Sequence, residues 1–192
     1  MKRLLLLVAA VSAAVAVAAT AAPAKDQGPM GPADVELSVA PFDQQFIDMM
    51  AAHHAMAIEM AKMAVMHAKH PELNTLGRQI IAAQSKEIRE FRELRKRWYG
   101  SSTFRDYAMN EMMMRTMGMG PKDMKGLMRS SRFDYDFLSA MIPHHAGAIT
   151  MARWEAQAGT HPKLRKIAMN IIRYQAEEVG RMIGWRVAWY GD

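Results

Sequence analysis

The chain has 192 residues, 25 Lys and Arg against 19 Asp and Glu, and no cysteine, which excludes disulfides, thiolate zinc sites, iron–sulfur clusters and cysteine nucleophiles. At 51% apolar residues it has the composition of a folded chain, long enough for one domain or two small ones. The outlier is methionine, at 20 residues.

Residues 1–22 read as a signal peptide. Lys2 and Arg3 begin it, Leu4 to Ala19 is an apolar run, and Ala19-Thr20-Ala21 offers small residues for cleavage near Ala21 or Ala22. The run is short for a membrane span and no basic stop-transfer patch follows. The expectation is an exported protein of the periplasm or cell envelope, with no membrane span after cleavage. Without Lys2 and Arg3 the side-chain charge is 23 − 19 = +4, too mild to point to nucleic acid. Residues 23–41, rich in Pro, Gly and Ala, read as a flexible lead-in.

The rest of the chain is a tandem repeat. Residues 42–100 align with 133–191 at an offset of 91 without a gap, with 22 identities in 59 positions. Only two copies exist and the period is long for a solenoid, so one duplicated unit is the simpler reading. Within repeat 1, Phe46, Met50, His53, Ala57, Met60 and Ala61 share one arc at helical spacing. Pro71 suits the first turn of a second helix, in which Leu73, Leu76, Ile80, Gln84, Glu87, Phe91, Leu94 and Trp98 fall on one face up to Gly100. The short joint predicts an antiparallel hairpin. Repeat 2, residues 133–192, predicts another, and the two predict an all-α four-helix bundle in one domain spanning 42–192. Residues 101–132 are the Met-rich crossover between the hairpins.

Gln84 and Glu87, with Gln175 and Glu178, interrupt otherwise apolar stripes, and a buried carboxylate needs a partner. Facing residues in an antiparallel hairpin have a nearly constant index sum, about 139 here. That count places Glu87 near His53, Glu178 near His144, Asp43 near Arg95 and Asp134 near Arg186. Such a His–Glu–Gln layer suits a structural role fixing register and a ligand site alike.

Met50 precedes His53 and His54 by three and four residues, as Met141 precedes His144 and His145; those spacings make thioether and imidazole helix neighbours. Thioethers select Cu(I), and imidazole accepts copper or zinc. Candidate metal ligands in the bundle are therefore Met50, His53, His54, Met60, Met141, His144, His145 and Met151. Repeat 1 extends the soft stripe through Met49, Met56, Met63, His67 and His70; repeat 2 keeps the histidine pair but has Ala140, Gly147, Trp154 and Ala158 at four of the stripe positions. Methionine is also ordinary core filler.

The crossover holds eight methionines between Met109 and Met128, interleaved with charged residues and broken by Gly118, Gly120 and Pro121. Leucine would be the economical core residue, so Met112, Met113, Met114, Met117 and Met119 are candidate Cu(I) or Ag(I) ligands. No catalytic set emerges: no Glu-x-x-His, no His-Glu-x-x-His, no phosphate loop and no nucleophile elbow. A non-enzymatic protein is expected, with a copper-dependent oxidoreductase as a weaker reading.

The blocks Phe42-Asp43-x-x-Phe46-x-x-x-Met50-x-x-His53-His54-x-x-Ala57-x-x-Met60-Ala61 and Phe133-Asp134-x-x-Phe137-x-x-x-Met141-x-Pro143-His144-His145-x-x-Ala148-x-x-Met151-Ala152 resemble the DUF305 family, as do the two His-Pro-x-Leu joints and the Gln-x-x-Glu pairs. The resemblance covers about residues 42–191. It implies a ferritin-like helical bundle in an exported bacterial protein, and some members are linked to periplasmic copper binding and copper resistance. Taken together, the reading is an exported copper-binding protein that buffers or carries Cu(I), Cu(II) or Ag(I). Its partners are metal ions, and no protein partner is indicated. The rival is a metal-free structural or interaction bundle whose histidines pair with buried glutamates. Pro143 stands where repeat 1 has Ala52 and removes a helix hydrogen bond near Ser139.

Overall fold

Each stretch with apolar residues at three- and four-residue steps becomes a helix. The computed structural model describes residues 40–105 and 121–192, and places there α1 (Phe42–His67), α2 (Pro71–Tyr99), α3 (Pro121–Met128), α4 (Phe133–Ala158) and α5 (Pro162–Tyr190). The signal peptide, most of the lead-in and Met112 to Met119 lie outside the described residues. Pro71 and Pro162 start α2 and α5, where a missing N–H costs nothing. Gly100 and Gly191 end them at φ 79° and 81°, left-handed conformations that favour glycine. Helix α4 runs unbroken through Pro143, whose ring is on the exposed side.

The helices pair as two antiparallel hairpins, α1 with α2 and α4 with α5, which meet along α1 and α4; the short α3 leans on α4. Gly77 permits a close approach within the first hairpin, since a Cβ there would lie 2.8 Å from the Ala61 carbonyl oxygen. The side between α2 and α5 is loosely packed and leaves a groove of about 350 Å³.

The apolar core falls into two clusters. One joins Met60, Leu73, Leu76, Ile80, Phe137, Leu138 and Met141. The other joins Phe46, Met50, Phe91, Leu94, Met151, Leu164 and Ile171. Each fully buried Phe or Leu among them contributes about 1.5–3 kcal/mol of transfer free energy. Between the clusters lies a polar layer.

The hairpins are also tied at their ends. Neither α2 nor α5 has a side-chain cap of its own. Asp134, from the first turn of α4, accepts hydrogen bonds from the Lys69 and His70 amides at 3.0 and 2.9 Å and bonds His70 Nδ1 at 2.6 Å. Asp43 does the same for the Thr160 and His161 amides, at 2.9 and 2.8 Å, and bonds His161 Nδ1 at 2.5 Å. Each carboxylate thus caps the N-terminus of a helix in the other hairpin, where the helix dipole favours negative charge. Burial pushes the Asp43 carboxyl up, but the hydrogen bonds from Thr160 and His161 outweigh it and hold it below the usual range. His70 stacks on Trp189 and His161 on Trp98, at 3.7 and 3.8 Å between centroids.

This corrects the expected ion pairs. Arg95 pairs with Asp48, not Asp43: its Nε donates to Asp48 Oδ1 at 2.6 Å, and both side chains are buried. Five residues along a helix turn a side chain by about 140°, so Asp43 and Asp48 face different neighbours. Ser139 stands at the position matching Asp48, and Arg186 bonds the Asp192 backbone oxygen at 3.3 Å instead of Asp134.

Candidate metal centre

The polar layer is built from four imidazoles, two carboxylates and two amides. His53 and His144 lie on facing sides of α1 and α4 and meet with ring centroids 3.7 Å apart. His54 and His145, the next residue in each helix, turn by about 100° towards their own hairpins. There His54 Nε2 lies 2.7 Å from Glu87 Oε2, and His145 Nε2 lies 2.8 Å from Glu178 Oε2. The glutamates therefore pair with the second histidine of each pair, one residue from the index-sum expectation. Both glutamates are half-buried and not fully enclosed as the sequence suggests, and the two pairings are alike although Pro143 stands where repeat 1 has Ala52.

All four histidines are 0% exposed. Burial, followed by repulsion from neighbouring imidazoles, holds His53 and His144 well below the ordinary histidine pKa, so both are neutral at neutral pH. No hydrogen bond of good geometry reaches either ring nitrogen of His53 or His144, or Nδ1 of His54 or His145, six buried nitrogens in all; the His144 backbone lies close enough to His53 to act weakly on it. The Gln84 and Gln175 carbonyl oxygens are also buried without partners. A neutral His54 or His145 donates its Nε2 proton to the carboxylate, which leaves a lone pair on Nδ1. Carboxylate–histidine–metal arrangements use a ring oriented in this way. Among the described residues, however, no three His, Asp or Glu side chains already converge at coordinating distance.

Met50 and Met141 are wholly buried, one in each apolar cluster, so they flank the layer from opposite sides. Met60 and Met151 are buried too, but seven residues beyond His53 and His144, about 10 Å along the helix. The structure thus brings the four histidines together, with Met50 and Met141 about one helical turn away in the flanking apolar clusters and Met60 and Met151 two turns away. Met112, Met113, Met114, Met117 and Met119 lie outside the described residues. Glu155, absent from the sequence reading, is also 0% exposed, with both carboxylate oxygens unpartnered. Its counterpart in repeat 1 is Ala64, so the repeat gave no signal for it.

The helical hairpins and the paired histidines define a duplicated, ferritin-like bundle. The model of DUF305, "Domain of unknown function (DUF305)", matches residues 43–186, and the chain belongs to that family. Among solved structures it resembles "CopM in the Cu(I)-bound form", with 36% identity over 77% of this chain and 97% of that one and a TM-score of 0.67. CopM in the Cu(II)-bound form matches similarly, at 36% identity and a TM-score of 0.65, covering 77% of this chain and 98% of that one. A DUF305 fragment from Deinococcus radiodurans is 26% identical over 76% of this chain and 95% of its own, with a TM-score of 0.68. The uncharacterized protein L153 of Acanthamoeba polyphaga mimivirus is 39% identical over 49 residues, which span 26% of this chain and only 32% of that curated relative.

Proposed function

We propose that this chain is an exported copper-binding protein that buffers or carries Cu(I) and Cu(II), and Ag(I) likewise, and so contributes to metal tolerance. The observation that carries this reading is the set of six buried, unpartnered imidazole nitrogens, on histidines of which His53 and His144 are held neutral. A purely structural layer would satisfy its polar atoms; His144 has neither ring nitrogen satisfied, and His53 has only the nearby His144 backbone. His53, His54, His144 and His145 would hold the ion, with Glu87 and Glu178 orienting two of them and Met50 and Met141 at hand as soft donors. The thioethers of Met112, Met113, Met114, Met117 and Met119 form a second, softer set; Met60 and Met151 are the remaining candidates. Export rests on residues 1–22, read as a signal peptide, and places the protein in the periplasm or cell envelope. The similarity to CopM, solved with Cu(I), Cu(II) and silver, supports the metal class.

The test compares three proteins titrated with Ag(I) and Cu(II): the mature form, a variant with the five crossover methionines changed to Leu, and one with the four histidines changed to Ala. Helicity is checked first, because the histidine variant strands Glu87 and Glu178. The Leu variant should lose mainly Ag(I) binding and the Ala variant mainly Cu(II) binding, since thioethers hold Cu(II) poorly. If the mature protein binds neither ion more tightly than about 10 μM, about −7 kcal/mol, the copper reading fails. The metal-free structural bundle then takes its place.

A further inference from the structure

The four histidines are 0% exposed, so an ion must cross protein to reach them. The two apolar clusters close the layer along the bundle axis, and α1 packs on α4 through the layer itself. The loosely packed side between α2 and α5 differs. Its groove is lined by Gln84, Glu87, Gln175 and Glu178, the same four side chains that border the imidazoles. While the imidazoles are sealed, the Glu87 and Glu178 side chains keep 22% and 14% exposure. Each carboxylate therefore bonds a buried imidazole and also contacts water.

We propose that the groove between α2 and α5 is the route by which a metal cation reaches the histidine layer, and that Glu87 and Glu178 are the carboxylates that receive it. This rests on the copper reading and adds the path to the site. Paired carboxylates in a cleft attract cations and raise their local concentration, and carboxylate oxygens replace hydration water as an ion leaves solvent. An ion held at Glu87 or Glu178 is then separated from Nδ1 of His54 or His145 by the width of one imidazole ring, because each carboxylate bonds Nε2. Polar bridges cross the groove at both ends, Lys163 Nζ to Glu90 Oε1 at 3.0 Å and Arg181 Nη1 to Gln79 Oε1 at 3.2 Å. The opening between them is one-sided. Ala83 on α2 faces it where α5 carries Tyr174, whose ring has Arg173 4.2 Å from its centroid. Lys86 and Arg181 oppose the attraction, Arg181 lying 3.9 Å from Glu178, so Glu87 on the Ala83 side is the better receiver.

Because the chain has no cysteine, Ala83→Cys creates a single attachment point at the groove. The variant is alkylated with iodoacetamide, which is small, or with N-benzylmaleimide, which is bulky. Arg153→Cys, on the exposed side of α4, carries the same labels as a control. Cu(II) association is followed by stopped-flow tryptophan quenching, and affinity by equilibrium titration. The bulky label at residue 83 should slow association and dissociation together by about tenfold or more and leave Kd unchanged. The small label, and both labels at residue 153, should have no effect. A second variant, Glu87→Gln with Glu178→Gln, should bind more slowly at low ionic strength with a flatter salt dependence. Unchanged rates with the bulky label at residue 83, or in the double Gln variant, would overturn the route while leaving the copper site standing. No Cu(II) binding by the unlabelled protein would overturn the site, and the route with it.

Discussion

Glu155→Gln is the sharpest probe of the core. Burial, reinforced by the nearby charge of Asp43 and opposed by Arg165, raises the Glu155 carboxyl from 4.5 to about 8. The folded chain therefore keeps a proton that the unfolded chain releases between those values. With the folded pKa raised, this group makes the protein less stable as pH climbs from 4.5 to about 8, and its effect is constant above that. At about 1.4 kcal/mol per pH unit, the loss across the window comes to about 3–5 kcal/mol. Glutamine keeps the shape and cannot ionise. Urea unfolding followed by circular dichroism at pH 5, 7 and 9 should show the variant within about 1 kcal/mol of the parent at pH 5 and more stable by about 2–4 kcal/mol at pH 9. Identical pH profiles for the two proteins would refute the reasoning. The Tyr99 hydroxyl nearby is raised to about 12, first by burial and then by the charges of Asp43, Glu155 and Asp48.

Three further outcomes follow from the geometry. Glu87→Ala leaves His54 Nε2 without its partner and should cost about 1–3 kcal/mol in chemical denaturation; a change below about 0.5 kcal/mol would mark a surface position. Asp134→Ala strips the cap from α2 and releases His70, so it should cost about 2 kcal/mol and change the Trp189 emission; Asp134→Asn should cost less. The depressed pKa values of His53 and His144 mean that the unfolded chain takes up protons first as pH falls through 6.5. Metal-free protein should lose stability below that pH, and a His53→Leu/His144→Leu variant should show a flatter acid limb by circular dichroism.

The four long helices and their pairing were legible because the repeat supplied the same pattern twice: Pro71 and Pro162 open α2 and α5, and Gly100 and Gly191 close them. The polar layer was legible as a composition, histidine with glutamate and glutamine, but its wiring was not. Adjacent histidines point about 100° apart, and only the position of the second hairpin decides that His53 faces His144 while His54 turns to Glu87. The Asp43 reading failed for the same reason, since an index sum sees only its own hairpin and Asp43 caps the other. Asp48 and Glu155 were missed because their counterparts are Ser139 and Ala64, so neither recurs. The stacking of His70 on Trp189 and His161 on Trp98 did leave a trace, as both residue types recur at the offset.

The crossed caps carry a consequence for the ancestry of the molecule. In each hairpin, the start of the second helix is completed by an aspartate from the other hairpin, and the central imidazole stack needs one ring from each. A chain holding a single repeat would have neither complete helix ends nor a complete layer, and two such chains related by a twofold axis would have both. The 91-residue offset thus preserves, in one polypeptide, the self-complementary interface of a symmetric pair. Within one chain each half can differ from the other, as Glu155 does against Ala64 at the matching position of repeat 1.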